Sequence, residues 1–327
     1  MRPDVTVVIP TRDRAPMLRQ ALGSVLAQDV DLEVVVVDEA SRDGTSAMLA
    51  AWDDPRIRVV HHERPMGVAR ARNAGIEQAR AETIAFLDDD DLWFRGKLRS
   101  QLDAMATEGA DWAYGGAIIF SEGPRLEAVV TAPAAAVTMA RLPYVNTVPG
   151  GGSNVLVTRR ALDSVGTLAL DLQACEDWDL SIRLSRFSPP AVVDELLIAY
   201  RRHGGTASRT VQQTLSSAAE LDRRYRTLRN GEPIDWADLL HWTSSDALRA
   251  GNRRMAMRIS LRALRQRHPA SFKRLLQSFS PVPRRPPIPE PREPINLYER
   301  VRPPRVVRWP PGIEEQLQEL LGPIDTQ

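Results

Sequence analysis

The chain is almost without cysteine: its 327 residues contain one, Cys175, which excludes an intrachain disulfide and fits a reducing compartment. It also lacks an excess of charge. A formal net charge of +1 provides no global field that would gather nucleic acid. No apolar run approaches the roughly 20 residues that a bilayer-spanning helix needs. The opening "MRPDVTVVIP" enters a strand pattern at once, without an apolar core of signal-peptide length. No helical unit recurs at a fixed period. These absences predict a cytoplasmic protein that meets a membrane, if at all, as a peripheral, weak surface contact. What is present is ordinary for a globular protein: 43% hydrophobic and 26% charged residues, with length for one large domain and a smaller appendage.

The first hundred residues alternate regularly. Short, mostly apolar, β-branched runs at Val5–Ile9, Glu33–Val37, Ile57–Val60 and Thr83–Leu87 read as strands, the first covered on both faces and the second buried. Between them lie segments of helical spacing, one carrying Met17, Leu18, Ala21, Leu22, Val25 and Leu26, another spanning Gly67 to Ala81. This alternation predicts an α/β protein with a parallel sheet flanked by helices. From about residue 111 the pattern changes to strands of mixed direction, "DWAYGGAIIF" and "SNVLVTRR", followed by a short helix over Glu176–Phe187. The chain then reads as helical from about Val211 to Phe279, turning near Gly251, with a strongly basic amphipathic stretch "MAMRISLRALRQR". Residues 281–311 hold eleven of the 25 prolines and seven arginines, which predicts an extended segment; "GIEEQLQELLG" closes as a short helix. The expected divisions are 1–210, 211–280 and 281–327. The helical C-terminal region leaves room for self-association.

In open parallel sheets, ligands bind beyond the carboxyl ends of the strands. Here those ends carry Thr11–Arg12–Asp13, Asp38 and the four aspartates of "IAFLDDDDLW", Asp88 to Asp91. Asp13 alone reads equally as a helix cap, and Asp38 as a strand-end turn residue. Adjacent carboxylates repel, so the run needs a cation or good solvation. Hard divalent ions such as Mn²⁺ and Mg²⁺ prefer carboxylate oxygens and are commonly shared with phosphates. If strand alternation continues, Asp88 and Asp90 face one side and Asp89 and Asp91 the other. A second acidic pair, Glu176–Asp177, opens the later helix, where the helix dipole alone would account for it.

Five motifs in order, "VVIPTRDR", "VVVVDEAS", "GVARARNAGI", "IAFLDDDDLW" and "CEDWDLSIRL", resemble those of the family 2 glycosyltransferases, inverting enzymes of the GT-A fold. The resemblance covers about residues 4 to 205. It implies a Rossmann-like GT-A domain and transfer of a sugar from a nucleotide-diphosphate donor to an acceptor hydroxyl on a glycan, a lipid-linked intermediate or a small molecule. It further implies nucleotide-sugar contacts from Thr11, Arg12, Asp38, Arg72, Asp88 and Asp89. Mn²⁺ or Mg²⁺ would be held by Asp90 with His203, and Asp177 would be the general base. Three departures stand out: Glu39 follows Asp38 where a second aspartate is usual, Pro65 takes the place of an amide residue in "PMG", and "VGTLALD" replaces a "GGFD" segment. Two other readings share parts of the pattern. A sugar nucleotidyltransferase would carry a Gly-rich phosphate loop after the first strand, which "PTRDRAPM" lacks; a non-catalytic nucleotide-sugar-binding scaffold would use the tail for partners.

Overall fold

The computed structural model describes residues 2–121, 125–203, 207–265 and 312–321. The proline-rich stretch 281–311 and the end of the expected helical region, 266–279, lie outside the described residues. The N-terminal part runs β1 (Val5–Thr11), α1 (Ala15–Leu26), β2 (Leu32–Asp38), α2 (Thr45–Ala50), β3 (Ile57–His61), α3 (Val68–Gln78) and β4 (Thr83–Phe86). These four strands pair in parallel in the order β3-β2-β1-β4, as the strand–helix alternation predicts. Both faces are covered. Val5, Val7 and Ile9 pack with Leu18, Leu22 and Val25 of α1, while Val8 faces Ala69 and Ile76 of α3. Each such buried aliphatic side chain contributes about 1.5–3 kcal/mol of transfer free energy. Helix α3 lies so close to β1 that a Cβ at Gly75 would stand 2.3 Å from Val8 Cγ1.

The second part is mixed in direction: β5 (Leu92–Trp93), α4 (Lys97–Glu108), β6 (Trp112–Ser121), β7 (Arg125–Val130), α5 (Ala135–Arg141), β8 (Leu156–Thr158), α6 (Arg159–Val165), α7 (Glu176–Phe187) and β9 (Ala191–Arg202). β8 joins the parallel half to β6 by antiparallel pairing on both sides. The expected strand "SNVLVTRR" is shorter than its apolar pattern, because Gly151–Asn154 forms a 3-10 turn and Arg159 already begins a helix. β6 and β9 run parallel with register shifts at Gly115 and Gly116, so residues 113–121 face the longer run 191–202. A Cβ at Gly115 would lie 2.5 Å from Leu197 Cδ1, and one at Gly116 3.0 Å from the Glu195 carbonyl oxygen. The bulge is possible because both side chains are absent.

Three helices follow, α8 (Ala207–Arg224), α9 (Trp236–Arg249) and α10 (Arg253–Arg265), with the turn near Gly251 where the sequence places it. Ala218 and Leu221 of α8 enter the same core as Trp112 and Trp178. Asp179, fully buried in α7, fastens α8 by accepting from Arg224 at 2.9 Å and from the Tyr225 hydroxyl at 2.8 Å. The closing helix, α11 (Ile313–Leu321), sets Ile313 and Leu317 against Leu92, Phe94 and Phe120.

Candidate active site

The polar strand ends converge. β1 delivers Thr11, Arg12 and Arg14; β2 ends on Asp38 and Glu39; the turn after β4 holds Asp88–Asp91; and β9 ends beside His203. Helix α3 contributes Arg72, the Gly150–Asn154 turn brings Ser153, and α7 opens with Glu176 and Asp177.

Each of the four aspartates has its own partners, which accounts for their tolerance of one another. Arg72 donates through one Nη to Asp88 and through the other to Glu176 at 2.8 Å. Asp89 accepts from the Thr11 hydroxyl at 2.7 Å and from Arg14 at 2.8 Å. Asp90 accepts from Arg14 at 2.7 Å and lies 2.8 Å from His203 Nε2. Asp91, fully buried, accepts from the Ser153 hydroxyl at 2.6 Å and from the Arg201 backbone N–H at 2.9 Å.

The alternation of the strand does not carry through the run. β4 ends at Phe86, and the Asp91 N–H closes a turn on the Asp88 carbonyl at 3.1 Å. Asp91 therefore joins Asp88 and Asp90, whose carboxylate oxygens all lie within 4.8 Å of one another, while Asp89 turns away toward β1. This corrects the expectation that Asp91 shares a side with Asp89. Ser153 holds the turn, accepting from the Asp88 N–H at 3.1 Å while donating to Asp91.

Burial, together with the charge of Asp90, pushes Asp89 up to about 6 and Asp91 well above the ordinary carboxylate range. Burial would also raise Asp90, but the His203 hydrogen bond and the Arg14 charge outweigh it and hold Asp90 low. An all-oxygen cluster with this surplus of buried negative charge suits a hard divalent cation. Asp88, Asp90 and Asp91 are the residues that fit one; His203 reaches Asp90 and stands beside that group.

At the other lip, Glu176 is buried and Asp177 partly so. Burial, opposed by Arg72 and reinforced by the charge of Asp177, pushes Glu176 up to about 7. Asp177 accepts from the Gly152 N–H at 2.9 Å, and a Cβ at Gly151, whose φ is +59°, would stand 2.3 Å from its carboxylate. The glycine turn is thus fitted to Asp177 by close approach.

Asp38 is buried and inward-tied, accepting from the Ser41 N–H at 3.0 Å and the Ser46 hydroxyl at 2.8 Å. Burial would raise its pKa, but these bonds hold it below the ordinary value. Thr11 is spent on Asp89, whereas the Arg12 side chain is half exposed. The departures Glu39 and "PMG" meet in space: the Glu39 carboxylate accepts from the N–H groups of Met66 at 3.1 Å and Gly67 at 2.6 Å, just before α3, and lies 2.6 Å from His62 Nδ1. Sequence reasoning passed over Arg14 as a functional neighbour and met Glu39 only as a departure from the family pattern. Arg14 stood within "VVIPTRDR" as its one visible signal.

With this geometry in place, comparison with known proteins is decisive for the N-terminal half, where residues 6–166 match the model of Glycosyl transferase family 2. Residues 6–166 are a family 2 glycosyltransferase domain. The succinoglycan biosynthesis protein ExoO of Rhizobium meliloti is 44% identical over 112 residues, 34% of this chain and 32% of that protein. The Escherichia coli UDP-Glc:alpha-D-GlcNAc-diphosphoundecaprenol beta-1,3-glucosyltransferase WfgD is 32% identical over 112 residues, 34% of this chain and 44% of that protein. The chain thus spans less than half the length of either curated relative. Among solved structures, the mannosyltransferase PcManGT from Pyrobaculum calidifontis, in complex with GDP-Man and Mn²⁺, aligns with a TM-score of 0.53 at 20% identity. That alignment covers 85% of this chain and 79% of the other, and it shows the shared GT-A fold. The family 2 domain contains Thr11 through Ser153; Asp177 and His203 lie beyond the matched segment.

Proposed function

We propose that this protein transfers a sugar from a nucleoside-diphosphate donor to an acceptor hydroxyl, with inversion at the anomeric carbon. The observation that carries the reading is the Arg72 bridge, which ties the aspartate turn to the acidic opening of α7 and so sets two chemistries across one cleft. Thr11, Arg12, Asp38, Arg72, Asp88 and Asp89 are assigned to the donor end. Asp88, Asp90 and Asp91, with His203 beside them, would hold Mn²⁺ or Mg²⁺, which when bound supplies charge neutralisation for the departing diphosphate. The PcManGT complex with GDP-Man and Mn²⁺ supports that choice of donor and ion.

Asp177 is the general base. Its carboxylate, oriented by the Gly152 N–H, takes the proton of the acceptor hydroxyl as that oxygen attacks the face opposite the leaving group. The buried Glu176 stays tied to Arg72 and orients that guanidinium toward Asp88. A lipid-linked saccharide is the favoured acceptor class, a choice supported by the diphosphoundecaprenol acceptor in the name of WfgD.

The test is a thermal-shift panel of nucleoside diphosphates and nucleotide sugars with and without Mn²⁺, followed by transfer assays on Asp177→Asn. The variant should keep donor-induced stabilisation and lose about 10²–10⁴-fold in transfer. Full transfer by Asp177→Asn would remove the base assignment. A wild type that neither binds, hydrolyses nor transfers any nucleotide sugar would favour the scaffold reading.

A further inference from the structure

The basic stretch "MAMRISLRALRQR" forms most of α10, and the fold decides how its two faces are used. Ala256, Ile259, Ser260 and Ala263 are buried, in a small core shared with Leu240 and Ala247 of α9. The apolar face is therefore already occupied by the protein. On the opposite face, Arg254, Arg258, Leu261 and Arg265 recur at helical spacing and are all exposed, Leu261 to 42%. Arg262 beside them lies over the Trp236 ring at 5.3 Å. The helix contains no acidic residue, and among the described residues none of Arg254, Arg258 and Arg265 pairs with a carboxylate. This contrasts with the chain as a whole, where 43 basic residues are balanced by 42 acidic ones.

The pair α9–α10 is also anchored to the catalytic cleft. Arg202, one residue before His203, lies 4.3 Å over the Trp242 ring of α9 and 3.5 Å from Asp246. A surface bound by α10 would thus be fixed relative to the strand that delivers His203.

We infer that the outer face of α10 docks on an anionic lipid surface by charge rather than by insertion. Insertion of an amphipathic helix needs a free apolar face, and here that face is packed against α9. Three aligned guanidinium groups, unpaired among the described residues, fit rows of lipid phosphates, and each basic group near an anionic leaflet adds attraction that salt screens within a Debye length. Exposed Leu261 within the arginine row suits a lipid headgroup layer better than a nucleic-acid backbone. The choice of lipid among anionic partners rests on the proposed lipid-linked acceptor; the basic face does not.

The test is co-sedimentation of the full chain with phosphatidylcholine vesicles containing one quarter phosphatidylglycerol, with pure phosphatidylcholine vesicles and duplex DNA as comparators, and without donor or acceptor. Because no turnover is involved, failure here leaves the transfer reading untouched, and loss of transfer leaves this one untouched. The wild type should bind the anionic vesicles, not the neutral ones, and be released by high salt. Arg254→Gln/Arg258→Gln/Arg265→Gln should weaken binding by about a hundredfold. A charge-matched control at exposed arginines elsewhere, Arg2→Gln/Arg99→Gln/Arg223→Gln, should change it little. The inference is overturned if the wild type ignores anionic vesicles, if binding survives high salt, if both triple variants lose equally, or if DNA binds and vesicles do not.

Discussion

Arg72 donates to Glu176 at 2.8 Å with both side chains buried, and this contact joins α3 to α7. Arg72→Ala leaves two carboxylates, Glu176 and Asp88, without their cation. Removing one partner of a buried pair typically costs about 3–5 kcal/mol, so a fall of that size is expected in urea unfolding at pH 8. Arg72→Lys should recover part of it, since one ammonium replaces a fork that reaches both acids.

Two buried glutamates should give stability profiles of opposite sign. Glu176 is raised from 4.5 to about 7 by burial, with Asp177 adding and Arg72 opposing. The folded protein therefore holds that proton more tightly than the unfolded chain, and stability falls as pH rises from about 4.5 to 7. Glu176→Gln should flatten this window in thermal unfolding.

Glu33 behaves in the opposite way. Burial would raise its pKa, but hydrogen bonds from Thr6 at 2.7 Å and from the Arg80 N–H at 2.7 Å hold it low. Its contribution is present above the ordinary glutamate range and is lost as pH falls through the depressed value. Glu33→Gln should lower stability at neutral pH and reduce the additional loss in acid.

The proposed metal-holding cluster predicts a ranking. Stabilisation by saturating Mn²⁺, worth about 2.7 kcal/mol at a hundred times Kd, should be lost in Asp90→Ala and equally reduced in Asp91→Asn. Asp89→Asn should retain most of it, because Asp89 faces Thr11 and Arg14. Equal effects at Asp89 and Asp91 would contradict the arrangement of the turn.

Glu39→Ala should free the Met66 and Gly67 N–H groups at the start of α3, costing about 1–2 kcal/mol. Glu39→Gln should restore part of this. Chemical denaturation of both variants provides the measurement.

β1, β2 and β4 were legible because burial on both faces leaves a mostly apolar run, as in the four valines of "EVVVV", whereas the edge strand β3 is only partly buried. The aspartates were legible as a site but not in their orientation, since a period-two argument ends with β4 at Phe86. Glu39 was visible only as a departure from a family pattern; its partners at Met66 and Gly67 are supplied by tertiary packing. β9 escaped for a related reason. Nine residues of β6 face twelve of β9, and three extra residues reverse which side of the strand each later side chain takes. No single alternation runs along it.

Those same extra residues have a consequence for His203. The reach of the β9 end is set by how much chain is taken up opposite Gly115 and Gly116. A side chain at either glycine would compete for that slack and draw the histidine out of step with Asp90. The aim of the strand is therefore decided at its middle, by two positions that carry no functional group at all.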